Sequence, residues 1–247
     1  MASPQAERLA ERHRVQQVAL RAGVSRDVMA LLRDLFDTGN ADRTWPAIQS
    51  MLATMARQQH ATSATLANAY YEQARVEADA PGFYLPITPA DLAKELLKVA
   101  LDATGIAAFK RAISLGRSPE EALQIASVML SGSVSRLALS GGRDAILGNV
   151  REDRQAIGWA RITDKDPCAF CAMLASRGPV FRSRQTASFQ AHDHCACMPV
   201  PAWNRDEAWL QHSRDLYEQW QKATEGHSGA DARRAWRHHW DSRNATT

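Results

Sequence analysis

The chain has 247 residues, enough for one large domain or two small ones, and 45% of them are hydrophobic, enough for a core. Its net charge of +3 excludes a polycation whose partner must be nucleic acid. The N-terminal MASPQAERLAERHR is charged from the start and lacks the apolar stretch of a secretory signal, and no apolar run approaches a membrane span, so a soluble protein made in the cytoplasm is expected.

Taken in order, the first part of the chain reads as helix. Residues 4–22 carry Leu9, Val15 and Val18 among charges, and Gly23 is expected to end that element. Ser25 is placed to cap a second helix through Phe36, with Val28, Leu31, Leu32 and Leu35 on one face. From Pro46 to Ala78 the pattern predicts one long helix, in which His60 reads as a solvated residue. Ala80-Pro81-Gly82 breaks it, and PGFYLPITP reads as an extended arm with three prolines in nine residues. The Thr88-to-Asp91 pattern is expected to open the next helix. Gly105 and Gly116 bracket a short one, and Ser118-Pro-Glu-Glu121 is a capping box. Gly141-Gly142 is expected to break that helix, with a further helix running to about Ile157. No Walker pattern follows Gly141-Gly142-Arg143, so a helix–helix turn is favoured over a phosphate loop.

After Gly158 the period changes. Trp159–Thr163 alternates as a strand, AFCAMLAS reads as a short helix stopped by Gly178-Pro179, and Val180-Phe181 and Cys197–Val200 are candidate strands around the polar loop Ser183–Ala191. All four cysteines lie here, as Cys168-x2-Cys171 and Cys195-x-Cys197, with His192 and His194 just before the second pair. A C-x2-C turn aims two sulfurs at one point, as tetrahedral zinc requires, and His192-x2-Cys195 repeats the gap. Cys195-x-Cys197 competes for the second half of the site, since residues i and i+2 of an extended segment point the same way. The favoured ligand set is Cys168, Cys171 and His192 with one of Cys195 or Cys197, and His194 is a spare or supporting residue. Disulfides between the clusters are one rival reading. The other is a cysteine nucleophile, with His192 as base and Asp164, Asp166 or Asp193 as orienting carboxylate. The module carries few bases offset by aspartates, which argues against a nucleic-acid-binding zinc module.

These residues also carry a family resemblance. TDKDPCAFCAMLASRGPVF followed by HDHCAC is similar to the signature of the phage head-morphogenesis proteins, the Mu F-like minor capsid family. The matching residues are Cys168, Cys171, Gly178, His192, Cys195 and Cys197. The chain departs from the family pattern at Asp193, His194 and Ala196. The resemblance implies a minor virion protein of the capsid interior or portal region, contacting the portal or major capsid protein and taking part in assembly or DNA packaging. Related actinobacterial-phage proteins are often labelled capsid maturation proteases, which makes an enzyme the alternative.

Beyond Pro201 the chain is helical again, with Trp209, Leu216, Tyr217 and Trp220 on one face. The tail DARRAWRHHWDSRNATT places Arg233, Arg234, Arg237 and Arg243 around Trp236 and Trp240. An amphipathic helix docked by its tryptophans is favoured there over a contact element for packaged DNA. The fold class expected is mainly α: helical bundle regions with a small α+β Cys/His module of zinc-knuckle type. The expected division is 1–80 and 81–157, both helical, 158–203 for the Cys/His module, and 204–247 for C-terminal helices.

Overall fold

A computed structural model describes residues 2–164, 166–181, 189–204 and 209–244. Its elements in order are α1 (Pro4–Leu35), α2 (Ala41–Glu77), α3 (Lys94–Thr104), α4 (Ile106–Ser114), α5 (Pro119–Glu152), β1 (Gly158–Ile162), α6 (Ala169–Ala175), β2 (Met198–Ala202), α7 (Gln211–Ala223) and α8 (Gly229–Asn244). The fold is mainly α with one small antiparallel sheet, β1 on β2, pairing Gly158 with Ala202 and Ile162 with Met198.

Helix α5 is the axis on which α1 to α4 and both strands pack. It begins at the expected capping box, in which Ser118 Oγ accepts from Glu121 N and Glu121 Oε2 from Ser118 N. It is long and apolar enough in composition to cross a membrane, contrary to the sequence expectation, but two-thirds of its apolar window is buried inside the protein, the mark of a core helix.

Two expected breaks, at Gly23 and at Gly141-Gly142, are absent. Helix α5 runs straight through Gly141-Gly142 because α2 crosses it there at backbone contact. A Cβ on Gly141 would lie 2.0 Å from His60 O, and one on Gly142 2.7 Å from Ser63 Oγ. These glycines permit close approach rather than a turn. The same crossing buries His60, expected in solvent, and burial pushes its pKa down. Helix α1 likewise continues through Gly23. Its cap is Ser3, whose Oγ accepts from Ala6 N, while Ser25 Oγ instead meets Ser135 Oγ on α5 at 3.1 Å. Helix α2 starts at Ala41, so Pro46 lies inside it, and α3 starts only at Lys94, after Asp91 has turned to Arg57.

The apolar interior has three parts. One lies among α1 to α5 and includes Val28, Leu32, Leu52, Leu97, Leu101, Leu130 and Val134, so the helices before and after the proline-rich stretch share it. A second joins Leu9, Tyr70, Tyr71 and Ile146 to Ile162, Met198 and Val200 of the sheet. The third is separate, and holds Ala172, Met173 and Ala175 of α6 against Leu216, Trp236 and Trp240 of α7 and α8.

Candidate metal centre

The first Cys pair sits at the start of α6. Cys168 is the N-cap residue, its Sγ accepting from Cys171 N at 3.4 Å, so one turn of helix brings the two sulfurs together. The second cluster lies in the turn before β2, where Cys195 N donates to His192 O. The side chains meet in two trios that share one member. Cys168, Cys171 and His192 form one, and Cys171, Cys195 and Cys197 the other. Within each trio the candidate ligand atoms lie within 4.8 Å of one another. Cys168 Sγ is 3.7 Å from His192 Nδ1, and Cys171 Sγ is 3.8 Å from Cys195 Sγ. All four cysteines are free, so the disulfide alternative has no counterpart in this structure. All five candidates (Cys168, Cys171, His192, Cys195 and Cys197) line one cavity of about 410 Å³, together with Asp164, Asp166, Asp193 and His194.

His194 belongs to neither trio. Its backbone has φ 64° and its ring packs against α5 at Gly132, where a Cβ would come within 2.5 Å of Nε2. Of the three aspartates weighed as triad members, two are otherwise engaged: Asp193 pairs with Arg136 at 2.8 Å and Asp164 faces Arg21 at 3.6 Å. Among the described residues no carboxylate is bonded to His192.

Each knuckle is gripped by a different part of the molecule. The second is held by arginines of the helical bundle. Buried Arg143 of α5 donates Nε to Cys197 O at 3.1 Å and Nη2 to Cys195 O at 2.7 Å, and Arg21 of α1 donates to His194 O. The first is held by the C-terminal helix, whose buried indoles donate to its backbone: Trp236 Nε1 to Ala169 O at 2.7 Å, and Trp240 Nε1 to Pro167 O at 2.8 Å. Arg161 of β1 lies between, wholly buried, with Nη1 3.7 Å from Cys171 Sγ, Nη2 on Gln190 O, and its guanidinium 3.8 Å over the Phe189 ring. The tail is thus docked by its tryptophans, with Arg233, Arg234 and Arg237 facing solvent and Arg243 stacked on Trp240.

Two buried guanidinium groups beside three sulfurs make a site suited to thiolates. The Cys195 thiol is pushed down, first by the hydrogen bonds it accepts from Cys171 and Cys197 and then by the Arg143 charge. Cys171 is pushed up, first by its hydrogen bonds with Cys195 and Cys197. A cation would replace those shared protons, because cysteine binds metal as thiolate.

Cys168, Cys171, His192, Cys195 and Cys197 line one cavity but fall into two trios that share Cys171. Arg143, Arg161 and Gly132 were not visible as part of the site. Arg143 carries only the signal of a basic residue following two glycines. Ser183–Ala191, expected as a polar loop, falls largely outside the described residues.

The fold and site define a mainly α protein closed by a Cys/His cluster of metal-binding type. The VG15 protein family model matches residues 4–223, and the chain belongs to that family. It is also similar to the Gene 15 protein of Mycobacterium phage D29, 31% identical over 124 residues, or 47% of this chain and 42% of that protein. The chain therefore spans less than half the length of this phage relative. No solved structure matches.

Proposed function

We propose that the chain is a minor virion protein of phage head morphogenesis, of the Mu F-like kind, in which a structural zinc ion joins the C-terminal helices to the helical bundle. The family membership and the phage relative support the phage setting. The observation that carries the zinc reading is the spacing of the ligand atoms. Sulfurs about 2.3 Å from a tetrahedral zinc stand ~3.8 Å apart, and Cys171 and Cys195 stand 3.8 Å apart. Cys171 serves both trios, so the set we favour is Cys168, Cys171 and His192 with Cys195 or Cys197 closing it. One zinc there ties the knuckle held by α8 to the knuckle held by α1 and α5.

The portal or major capsid protein is the partner class this reading calls for, with the capsid interior or portal region as its place. The exposed arginines of α8 leave packaged DNA as a further contact. The capsid maturation protease is the second reading, supported by the Cys168–His192 pair at 3.7 Å on the protein surface, but it lacks an orienting carboxylate among the described residues. Elemental analysis of protein purified without added metal distinguishes the two. Near one equivalent of zinc per chain is expected. A metal-free, folded protein that cleaves capsid or scaffold protein, and stops doing so as Cys168→Ser, would overturn the structural reading.

A further inference from the structure

The stretch between α2 and α3 is held in an unusual way. Arg75 of α2 donates Nη1 to Ala80 O and Gly82 O and Nη2 to Pro81 O, fixing three successive carbonyls. Further along, Tyr84 Oη donates to Asn149 Oδ1, the same oxygen accepts from Ile87 N at 2.7 Å, and Asn68 Nδ2 donates to Ile87 O at 3.0 Å. Tyr84 faces inward against Tyr71. Pro81, Pro86 and Pro89 stiffen the rest. A segment held this firmly nevertheless presents its alternate side chains to water: Phe83 is 94% exposed, Leu85 69% and Ile87 42%. Such an apolar row on a fixed backbone is preorganised for docking, because little conformational freedom remains to be lost.

The opposite half of the molecule carries a groove of matching character. It lies between α3–α4 and the start of α5, has a volume of about 570 Å³, and is lined by Ala103, Ala107, Leu115, Ile125 and Met129, with Arg111 and Arg117 at its rim. Those two arginines make no ion pair among the described residues. No carboxylate lines the groove. The arm, residues 79–91, has the reverse charge: it contains no basic residue and begins at the exposed Asp79, while Asp91 at its other end is paired with Arg57.

The arm cannot reach the groove of its own chain. Ile87 rests on Gly148, near the end of α5, while the groove is built on Ile125 and Met129 near its start. From Met129 to Gly148 the helix rises roughly 28 Å, and the arm is tied down at both ends.

We propose that the Phe83–Ile87 arm of one copy docks in the Ala103–Met129 groove of a second copy, with the exposed Asp79 facing Arg111 or Arg117. Knob and hole are different surfaces, so the contact is head-to-tail and propagates to a ring or a filament rather than closing as a two-fold dimer. Three side chains, the aromatic one covering on the order of 150–250 Å², place it at or below the lower end of stable interfaces, ~1,200 Å². The association is accordingly weak and salt-sensitive.

Sedimentation velocity of the full, metal-loaded chain from micromolar to millimolar concentration tests this. The average mass is expected to rise with concentration past that of a dimer, and to fall back with added salt. The exposed double variants Phe83→Ser/Leu85→Ser, lacking the arm, and Ile125→Glu/Met129→Glu, lacking the groove, are each expected to stay monomeric with unchanged circular dichroism. Mixing the two leaves one good arm and one good groove, and is expected to give a discrete dimer that grows no further. Monomer at every concentration, association that survives both double variants, or a mixture that stays monomeric overturns the proposal. So does an arm variant that is lost from particles while the purified wild-type chain remains monomeric, since the arm then docks on another protein. Zinc content is a separate measurement, so this result and the metal reading stand or fall independently.

Discussion

The helical bundle and the Cys/His module reach a fixed structure by different means. The bundle buries long apolar rows of α1, α2 and α5 against each other. The module contributes two five-residue strands and one seven-residue helix. Its small residues Ala160, Ala172, Ala175, Ala196 and Ala202 are buried but bring little area. Its backbone is held instead by borrowed donors: Arg143 and Arg21 from the bundle, Trp236 and Trp240 from α8. A segment too small for its own core is stabilised by cross-links and by its neighbours. Here the neighbours grip the two knuckles from opposite sides, so whatever joins the knuckles also joins the two bodies.

The largest effect that breaks this contrast is expected from Cys171→Ser, which removes the sulfur common to both trios. A structural zinc contributes on the order of 10 kcal/mol in small domains. The variant should lose its metal and become protease-sensitive from residue 158 onward, while urea unfolding of the helical part stays close to wild type. Trp240→Ala comes next, at about 3–5 kcal/mol for loss of a buried tryptophan. Limited proteolysis should show α8 released and the metal more readily taken by a chelator. In the bundle, Gly141→Ala forces a Cβ to within 2.0 Å of His60 O, a backbone atom that cannot rotate away. We expect the upper part of the ~1–3 kcal/mol range of overpacking, seen as a lower urea midpoint for the helical transition.

The smallest effect concerns acid. His13 is buried, stacked on Tyr70 at 4.6 Å, and neither ring nitrogen has a hydrogen-bond partner. Burial lowers its pKa to about 3. The unfolded chain, with an ordinary histidine, takes up the proton first. Stability from the neutral ring is therefore complete above pH ~6.5 and is lost as pH falls toward 3, by about 2 kcal/mol at pH 5. Comparing urea midpoints at pH 7 and pH 5 for metal-free wild type and His13→Phe should show the flatter profile in the variant. Some slope remains from His60 and His212, whose pKa values burial also lowers.

How far the sequence could be read follows the same division. Local structure that rests on spacing was legible: the convergence of each cysteine pair, the Ser118 capping box, the Trp159 strand and the tryptophan-docked tail. What was missed depends on contacts far apart in sequence. Gly23 and Gly141-Gly142 look the same as helix breakers, and only the crossing of α2 over α5 shows that the latter are close-approach sites. His60 looked solvated because its own helix gives no sign that α5 covers it. Arg143 was expected in a helix–helix turn and Arg161 was counted only among the module's few bases, though both are buried beside the cysteines, since a buried arginine is recognisable only once its acceptors are in place.

Hydrogen exchange of the full-length protein, with and without a zinc chelator, tests most directly the claim that a metal ties the C-terminal helices and the Cys/His turns to the helical bundle. The account predicts that chelation removes protection from residues 158–203 and from α8, while the amides of α5 from Ala122 to Ile146 remain as protected as before. Unchanged protection at the Cys/His turns after complete metal removal, or loss of protection throughout α5, would contradict it.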